Sequence, residues 1–372
     1  MAPRWLRTGA EGYRRMIEAL GAARQSVRFE TYLFRSDDVG NRFRVALEEA
    51  ARRGVRVQVL LDGFGSNGIP ADYWHGLKQA GGEVRIFNPL QWSSFAFRDH
   101  RKLMLVDDAR AFVGGFNIAA EYDGDGVERG WRDLGMELSL PKAVHALAKS
   151  FDEMFEAFDL RHRLLRRIRH PLRRAIPAGG QGPVLLSGPR LAGNQFRKNL
   201  LQSLHRAKNV RIISGYFLPD FRLRRLLRQV VRRGGRVELM LAGKSDVPLT
   251  QMAARALYGS LFRGGVKIWE YQPQVLHAKL AIVDETVFVG SSNLDTRSFG
   301  INYEVMVRLD EPQITAEARE IFSLDQCHAI EITPEAWRAS QTWFTRCRGF
   351  LARVLITKID PWLARRQRRG LS

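Results

Sequence analysis

Short apolar runs alternate with longer amphipathic segments along this chain. Residues 26–33 and 55–61 are short and rich in β-branched side chains, whereas residues 40–53 place apolar side chains at helical spacing. The alternation returns in the second half, over residues 210–217, 221–233 and 237–241. Strands that alternate with helices in this way predict an α/β fold with a largely buried sheet in each half.

The second half of the chain repeats the first in order. His100, Lys102 and Asp107 recur 177 positions later as His277, Lys279 and Asp284. The tetrapeptide Gly-Gly-Phe-Asn at 114–117 recurs 176 positions later as Gly-Ser-Ser-Asn at 290–293. Because the order is kept and the offset barely drifts, the pattern indicates an internal duplication.

The repeat divides the chain into four predicted segments. Residues 1–158 form the first domain, and residues 183–330 form the second. Between them, residues 159–182 are a basic linker, with seven arginines between positions 161 and 174. Residues 331–372 are predicted to be a basic amphipathic extension.

Charge narrows the class of partner. The chain has 59 Lys and Arg against 39 Asp and Glu, a formal net charge of +20, which favours nucleic acid or an anionic membrane surface without deciding between them. We expect neither a spanning helix nor a secretory signal, because the chain has no apolar run of about 18 residues and no signal pattern at its start. Two cysteines, Cys327 and Cys347, are too few for a disulfide framework and are predicted to be free thiols.

The repeated motif brings two cationic groups to one point. In each half, His and Lys stand two residues apart at the start of a predicted strand, and side chains at i and i+2 share one face. A second predicted strand returns to the tetrapeptide, where small residues let the backbone approach a ligand and asparagine can bind an oxygen. Two imidazoles, two ammonium groups and two amides suit a phosphodiester, whose developing charge they stabilise without a metal or cofactor.

One motif of this spacing arises by chance in about a few per cent of chains of this length, and would then usually be a solvated strand end. Two motifs at equivalent places in a duplicated frame favour catalysis instead. In the mechanism that this set suggests, one neutral histidine attacks phosphorus while the other, protonated, gives its proton to the leaving oxygen.

From about residue 9 to about residue 329, the chain resembles the phospholipase D superfamily, whose motif is His-x-Lys-x4-Asp followed by Gly-Ser/Gly-x-Asn. Within it, the chain resembles the B-type bacterial cardiolipin synthases that lack transmembrane helices. The blocks that carry this narrower resemblance are Phe29-Glu30-Thr31-Tyr32, residues 59–66, residues 114–118, Trp131-Arg132-Asp133 and residues 292–298. The resemblance implies duplicated phospholipase D-like α/β domains, each a mixed β-sheet flanked by helices, related by a pseudo-twofold axis and sharing one active site.

The resemblance also implies a role for each site residue. Similar enzymes form a phosphohistidine, usually on the first motif, which makes His100 the expected nucleophile and His277 the acid and base. The residues expected to hold phosphate oxygens are Lys102, Asn117, Lys279, Ser291 and Asn293. Asp133 and Glu304 are expected to orient the histidines, and Asp107 and Asp284 complete the candidate set with a structural role. Gly115 departs from the pattern, since many members have serine there.

Asp62 follows a predicted strand and precedes Gly63-Phe64-Gly65-Ser66. Loops after strand ends often line sites in α/β folds. A plain turn explains this segment equally well.

The function expected from the resemblance is transfer of a phosphatidyl group, for example from two phosphatidylglycerols to cardiolipin plus glycerol. A phospholipase D hydrolase or a nuclease of the same superfamily remains an alternative, because phosphate contacts by Lys and Arg also dominate nucleic-acid binding. Two basic amphipathic segments, residues 160–172 and 350–362, favour peripheral binding to anionic phospholipid. The expected location is the cytoplasmic face of the bacterial inner membrane.

Overall fold

The computed structural model describes residues 2–89, 97–157, 182–189 and 194–359, which fold into two mixed β-sheets flanked by helices. The strands of the first sheet are β1 Arg4–Leu6, β2 Ser26–Thr31, β3 Arg56–Asp62, β4 Glu83–Phe87, β5 Leu103–Val106, β6 Arg110–Gly114 and β7 Gly135–Leu138. Its helices are α1 Gly9–Ala22, α2 Asp38–Arg52, α3 His75–Gln79 and α4 Pro141–Ala157, and a 3-10 turn covers Ala120–Tyr122.

The second half has the corresponding elements and a C-terminal addition. Its strands are β8 Val184–Ser187, β9 Asn209–Ser214, β10 Arg236–Ala242, β11 Lys267–Tyr271, β12 Lys279–Val283, β13 Thr286–Gly290, β14 Glu304–Leu309 and β15 Ala329–Ile332. Its helices are α5 Gln195–Leu204, α6 Phe221–Arg232, α7 Pro248–Arg255, α8 Tyr258–Phe262, α9 Thr296–Gly300, α10 Pro312–Gln326, α11 Pro334–Ala339 and α12 Trp343–Val354. A π-helical turn, Leu355–Ile359, follows α12.

The two sheets have the same strand order. The first runs β1-β7-β6-β5-β2-β3-β4, and the second runs β8-β14-β13-β12-β9-β10-β11, with β15 added beyond β11. In the first sheet β2, β3 and β4 are parallel, whereas β5, β6 and β7 join antiparallel, and the second sheet repeats this arrangement. The predicted α/β class and the predicted duplication are therefore confirmed.

Helix α6 illustrates how the sequence produces these elements. Asp220 caps its N-terminus by accepting a hydrogen bond from the backbone N–H of Leu223. The helix buries Leu223, Leu226, Leu227 and Val230, while the arginines between them are half-buried or exposed. Apolar side chains at this spacing form one stripe of a helix, so α6 packs on the sheet and keeps its charges near solvent.

A shared apolar layer joins the two halves. One buried cluster combines residues of both sheets, such as Val113 and Val289, with residues of α4 and α10, such as Phe151 and Phe322. Each half also has its own cluster on the outer face of its sheet. The two sheets therefore face each other across a common core, which fixes their relative position.

The seam between the halves also pairs main chain with main chain. Asp99 forms a β-bridge with Tyr303, and the N–H of His100 donates to the carbonyl of Tyr303 at 3.0 Å. Arg132 pairs in the same way with Leu276. These pairings explain a departure from the sequence expectation: β5 begins only at Leu103, after His100, because the preceding segment pairs with the opposite half.

Several sequence predictions fall where the structure gives no description. The amphipathic segment 160–172, all but the last residue of the linker 159–182, and residues 360–372 lie outside the described residues. Within the ranges that are described, no helix is long and apolar enough to cross a membrane. Cys327 and Cys347 are free thiols.

We expect Asp107→Ala to lower the free energy of unfolding by about 1–3 kcal/mol. The Asp107 carboxylate accepts backbone N–H groups of Arg24, Gln25 and Ser26, at distances from 2.7 to 3.2 Å, and so fixes the start of β2. Urea unfolding measures the change. Asp108→Ala is the matched control, because Asp108 has the same left-handed backbone but an exposed side chain on Arg28. Equal losses in the two variants would contradict this role.

Candidate active site

Each motif histidine is hydrogen-bonded to a carboxylate of the opposite half. The Nδ1 atom of His277 lies 2.6 Å from Oδ2 of Asp133, and Nδ1 of His100 lies 3.1 Å from both carboxylate oxygens of Glu304. All four side chains are buried. Because Nδ1 is occupied, Nε2 of each ring is the nitrogen available for chemistry.

The two lysines stand beside the histidines that precede them. Nζ of Lys102 donates to the carbonyl of His100 at 2.8 Å, and Nζ of Lys279 donates to the carbonyl of His277 and lies 2.6 Å from its Nδ1. Burial lowers the pKa of Lys102 to about 7 and that of Lys279 to about 8, although Glu304 and Asp133 respectively oppose the shift. The buried ammonium groups therefore lack full compensation, and an anion bound between them would stabilise their charge.

Burial and the lysine charges also lower the pKa values of both histidines. For His100 the shift is large, with burial as its main cause and Lys102 and Lys279 adding to it. For His277, burial and Lys279 lower the pKa, but the carboxylate of Asp133 raises it in part. Of the two rings, His100 is therefore the one held more firmly in its neutral form.

The pKa values of the two carboxylates are shifted in opposite directions. Burial raises the pKa of Glu304 to about 7, against the opposing effect of Lys102 and of hydroxyl donors. Burial acts on Asp133 in the same sense, but the charges of Lys279 and His277 outweigh it, so its pKa lies below the usual value. His277 therefore has a partner that stays ionised, while the partner of His100 titrates near neutral pH.

Gly115 stands where many family members have serine, and the position of Asp133 explains why no side chain fits there. A Cβ atom added to Gly115 would lie 2.0 Å from Oδ1 of Asp133, so the carboxylate occupies the space that a serine would need. At the equivalent place, Ser291 donates to Oε2 of Glu304 at 2.5 Å, and Ser298 donates to Oε1 at 2.8 Å. The hydroxyl of Ser291, predicted to hold phosphate, is thus bonded to Glu304 in this structure.

The two asparagines expected to hold phosphate differ in their hydrogen bonds. Nδ2 of Asn117 donates to the hydroxyl of Tyr122 at 2.6 Å, and its Oδ1 accepts the N–H of Leu33 at 3.2 Å. Asn293 is buried, and its Oδ1 has no hydrogen-bond partner among the residues that the structure describes. Phosphate binding by Asn117 would require exchange of its bond to Tyr122.

The motif aspartates are far from this cluster. Asp107 and Asp284 follow the opposite ends of β5 and β12, roughly 16 Å along the strand from the lysines. Asp284 accepts the backbone N–H groups of Lys208 and Asn209 just as Asp107 accepts those before β2. Both carboxylates accept backbone N–H groups, and neither is hydrogen-bonded to a motif histidine.

Aromatic side chains form walls that the sequence analysis did not identify. The ring of Tyr32 lies 4.9 Å from that of His100, and the ammonium of Lys102 lies 5.1 Å from the centre of Tyr32. The rings around His277 belong to Tyr122, Trp131 and Tyr216, at 5.3, 5.7 and 6.3 Å. Tyr32 directly follows β2, and Tyr216 follows β9 by two residues. Their equivalent places after equivalent strands could have marked both tyrosines as site residues from the sequence.

Asp62 is both a turn residue and a support for the site. Its Oδ1 accepts the N–H groups of Phe64 and Gly65 at 2.9 Å, and its Oδ2 accepts the N–H of Asp99 at 2.8 Å. Burial raises its pKa to about 6. Asp62 therefore holds the residue that precedes His100.

Across the described ranges, no group of three or more His, Cys, Asp or Glu could hold a metal ion.

We expect Gly115→Ser to lower kcat by about tenfold or more, because the new side chain displaces Asp133 from His277. Ser291→Gly is the matched control at the equivalent position, where the change removes one donor to Glu304 without a clash, and its effect should be smaller. Turnover measured alongside thermal unfolding separates a local displacement from loss of the fold. A Gly115→Ser protein with the turnover of the wild type would show that the Asp133 contact is unimportant.

Comparison with known proteins places this site in a family. The family model "Cardiolipin synthase, PLD-like domain" matches residues 16–155 and 200–326, the ranges that hold the two motifs. Cardiolipin synthase A of Pseudomonas aeruginosa is 36% identical over 344 residues, which cover 90% of this chain and 69% of that protein. Cardiolipin synthase B of Salmonella typhi is 30% identical over 363 residues, covering 93% and 86%.

A solved structure shows the same fold. The phosphatidylserine synthase of Haemophilus influenzae superposes with a TM-score of 0.74 at 14% identity, over 97% of this chain and 94% of that one. The resemblance that the sequence showed is confirmed, and the chain belongs to the cardiolipin synthase family of phospholipase D-like proteins.

Proposed function

We propose that this protein is a phosphatidyltransferase that joins two phosphatidylglycerol molecules into cardiolipin and free glycerol through a phosphohistidine. The observation that carries the proposal is the pair of cross-seam histidine–carboxylate contacts, each with a buried lysine beside its histidine. The names of the relatives, two cardiolipin synthases and a phosphatidylserine synthase, support phospholipid as the substrate.

The first step transfers the phosphatidyl group to the protein. Nε2 of neutral His100 attacks the phosphorus of the donor, and the bond from phosphorus to the headgroup oxygen breaks. His277, protonated at Nε2, gives its proton to that oxygen, so glycerol leaves neutral. The electrostatics support this assignment, because burial lowers the pKa of both histidines but Asp133 offsets part of the shift at His277, which makes His277 the easier of the two to protonate.

The second step returns the group to an alcohol. A hydroxyl of the second phosphatidylglycerol gives its proton to His277, now neutral, and its oxygen attacks phosphorus as the bond to His100 breaks. Lys102 and Lys279 stabilise the charge on the non-bridging oxygens in both steps. Glu304 orients His100, and Ser291 and Ser298 hold that carboxylate.

A surface on α12 supports attachment to anionic membranes. The helix packs on α7 through Gly349 and Ala352, and its opposite side exposes Trp343, Phe344, Phe350, Leu351 and, just beyond it, Leu355. Arg346, Arg348 and Arg353 lie among these residues. Exposed aromatic and apolar side chains mixed with arginine suit the interface of an anionic bilayer.

We place the protein peripherally on the cytoplasmic face of the bacterial inner membrane. The free thiols Cys327 and Cys347 fit a reducing compartment.

One assay separates lipid from nucleic acid as the substrate. Purified protein is mixed with phosphatidylglycerol vesicles and, in parallel, with single- and double-stranded DNA. We expect cardiolipin and glycerol to appear together, and His100→Ala and His277→Ala each to lower the rate by several orders of magnitude, since the two act as one unit. A variant that keeps more than about a tenth of the wild-type rate would rule out the shared mechanism. DNA cleavage that depends on His100, with no diphosphatidyl product, would assign a nuclease instead.

Membrane attachment has its own test. We expect the double variant Phe344→Ser, Leu351→Ser to bind phosphatidylglycerol vesicles about tenfold or more weakly, because it removes two exposed apolar side chains worth ~1 kcal/mol or more each. Sedimentation with vesicles measures binding. Leu324→Ser on α10 is the control, since Leu324 is similarly exposed, at 52%, but lies on another surface. Equal loss in the control, or none in the double variant, would argue against this surface.

A further inference from the structure

The two motif histidines have the same side chain, but the residues near them in the sequence differ between the halves. Arg98 stands two residues before His100, whereas Val275 stands two residues before His277. Arg297 lies four residues after Asn293, whereas Glu121 lies four residues after Asn117. Duplication alone would make these positions similar, so the two arginines are a difference between the halves. We call Arg98 and Arg297 the arginine flank.

Both members of the arginine flank act on the tyrosine that covers His100. Burial raises the pKa of the Tyr32 hydroxyl to about 12, and the positive charges of Arg98 and Arg297 both oppose that shift, as charges near the hydroxyl would. The guanidinium of Arg98 lies 3.9 Å from the centre of the Phe64 ring, and the residue is only 7% exposed. Since the ring of Tyr32 is 4.9 Å from that of His100, the flank begins one side chain away from the reacting histidine.

Backbone hydrogen bonds fix both members of the arginine flank, and the one at Arg98 crosses the seam. The N–H of Tyr303 donates to the carbonyl of Arg98 at 2.9 Å, and the N–H groups of Ile301 and Asn302 donate to the carbonyl of Arg297 at 2.8 and 2.9 Å. Arg98 comes from the first half and Arg297 from the second. Docking of the halves therefore assembles the flank together with the active site.

Two nearby cations on one side of the site repel each other. Burial is the main cause that lowers the pKa of Arg98, and Arg297 adds to it, while Asp62 opposes the shift. Near His277, the hydroxyl of Tyr216 donates to the carboxylate of Asp246 and lies 2.7 Å from each of its oxygens. A phosphate bound at the arginine flank would relieve the repulsion and accept charge-assisted hydrogen bonds.

We propose that the arginine flank is a second anion subsite, which holds the phosphate of the acceptor lipid while its hydroxyl attacks the phosphatidyl-histidine. This rests on the proposed transferase function, and it adds a preference among acceptors. A second phosphatidylglycerol has a phosphate for the subsite, whereas water and neutral alcohols have none. The glycerol bridge between the two phosphates of cardiolipin rotates about single bonds, so the second phosphate can lie beside His100 while the first reacts.

The test compares two soluble acceptors that differ by one phosphate. Labelled glycerol phosphate and labelled glycerol compete for the phosphatidyl group of phosphatidylglycerol vesicles, and the ratio of their products is measured. For Arg297→Gln and for Arg98→Gln we expect this ratio to fall about tenfold or more, because a charge-assisted contact is lost only for the anionic acceptor. Arg297→Lys, which keeps the charge, should restore part of the ratio. Cardiolipin formed per phosphatidylglycerol consumed reports the same preference for the lipid-borne phosphate.

Arg35→Gln is the matched control, because Arg35 pairs at 3.1 Å with Glu121, the counterpart of Arg297 in the first half, and its loss changes the charge equally. Its ratio should equal that of the wild type. An unchanged ratio in both flank variants, or a proportional fall of both products, would overturn the subsite and leave the arginines a purely structural role. A wild-type protein that forms no phosphatidyl product with any acceptor would instead refute the transferase function, and the subsite with it.

Discussion

Each motif histidine of the candidate site is oriented by a hydrogen bond to a carboxylate of the other half. His100 needs Glu304, and His277 needs Asp133, so neither half contains a complete acid–base pair by itself. The shared apolar layer and the paired backbone of Asp99 with Tyr303 keep these contacts at bonding distance. Stability of the seam and competence of the site are therefore one property, and changes at the interface should be felt in turnover before they are felt in either sheet.

The two halves share their strand order but differ in the residues around each histidine. The strand orders are the same in both halves, yet the buried residue between His and Lys is Arg101 in one and Ala278 in the other. Arg101 is buried in an ion pair with Glu30 at 2.5 Å, a contact that the second half replaces by apolar packing. The histidines differ as well: burial lowers the pKa of both, but the carboxylate of Asp133 offsets part of the shift at His277.

Much of this could be predicted from the sequence because the repeat and the strand–helix alternation are local patterns. The α/β class, the duplication and the family followed from the spacing of His, Lys and Asp and from the blocks beside them. The partners Asp133 and Glu304 came from resemblance, but which histidine each one meets depends on docking of the halves, which no spacing along the chain records. The bond from Ser291 to Glu304 and the aromatic walls were missed for the same reason, since they are contacts between distant segments. The histidines were expected to begin strands, but the backbone before β5 pairs across the seam instead.

The close contact at Gly115 has a consequence for how this chain can change over time. One half combines glycine with the shorter carboxylate, Asp133, and the other combines serine with the longer one, Glu304. Serine introduced beside Asp133 collides with it, while glycine introduced beside Glu304 removes a donor that holds it. A lineage that exchanges one combination for the other must pass through an intermediate in which the small residue and the carboxylate do not match. We therefore expect the two positions of each combination to change together or not at all.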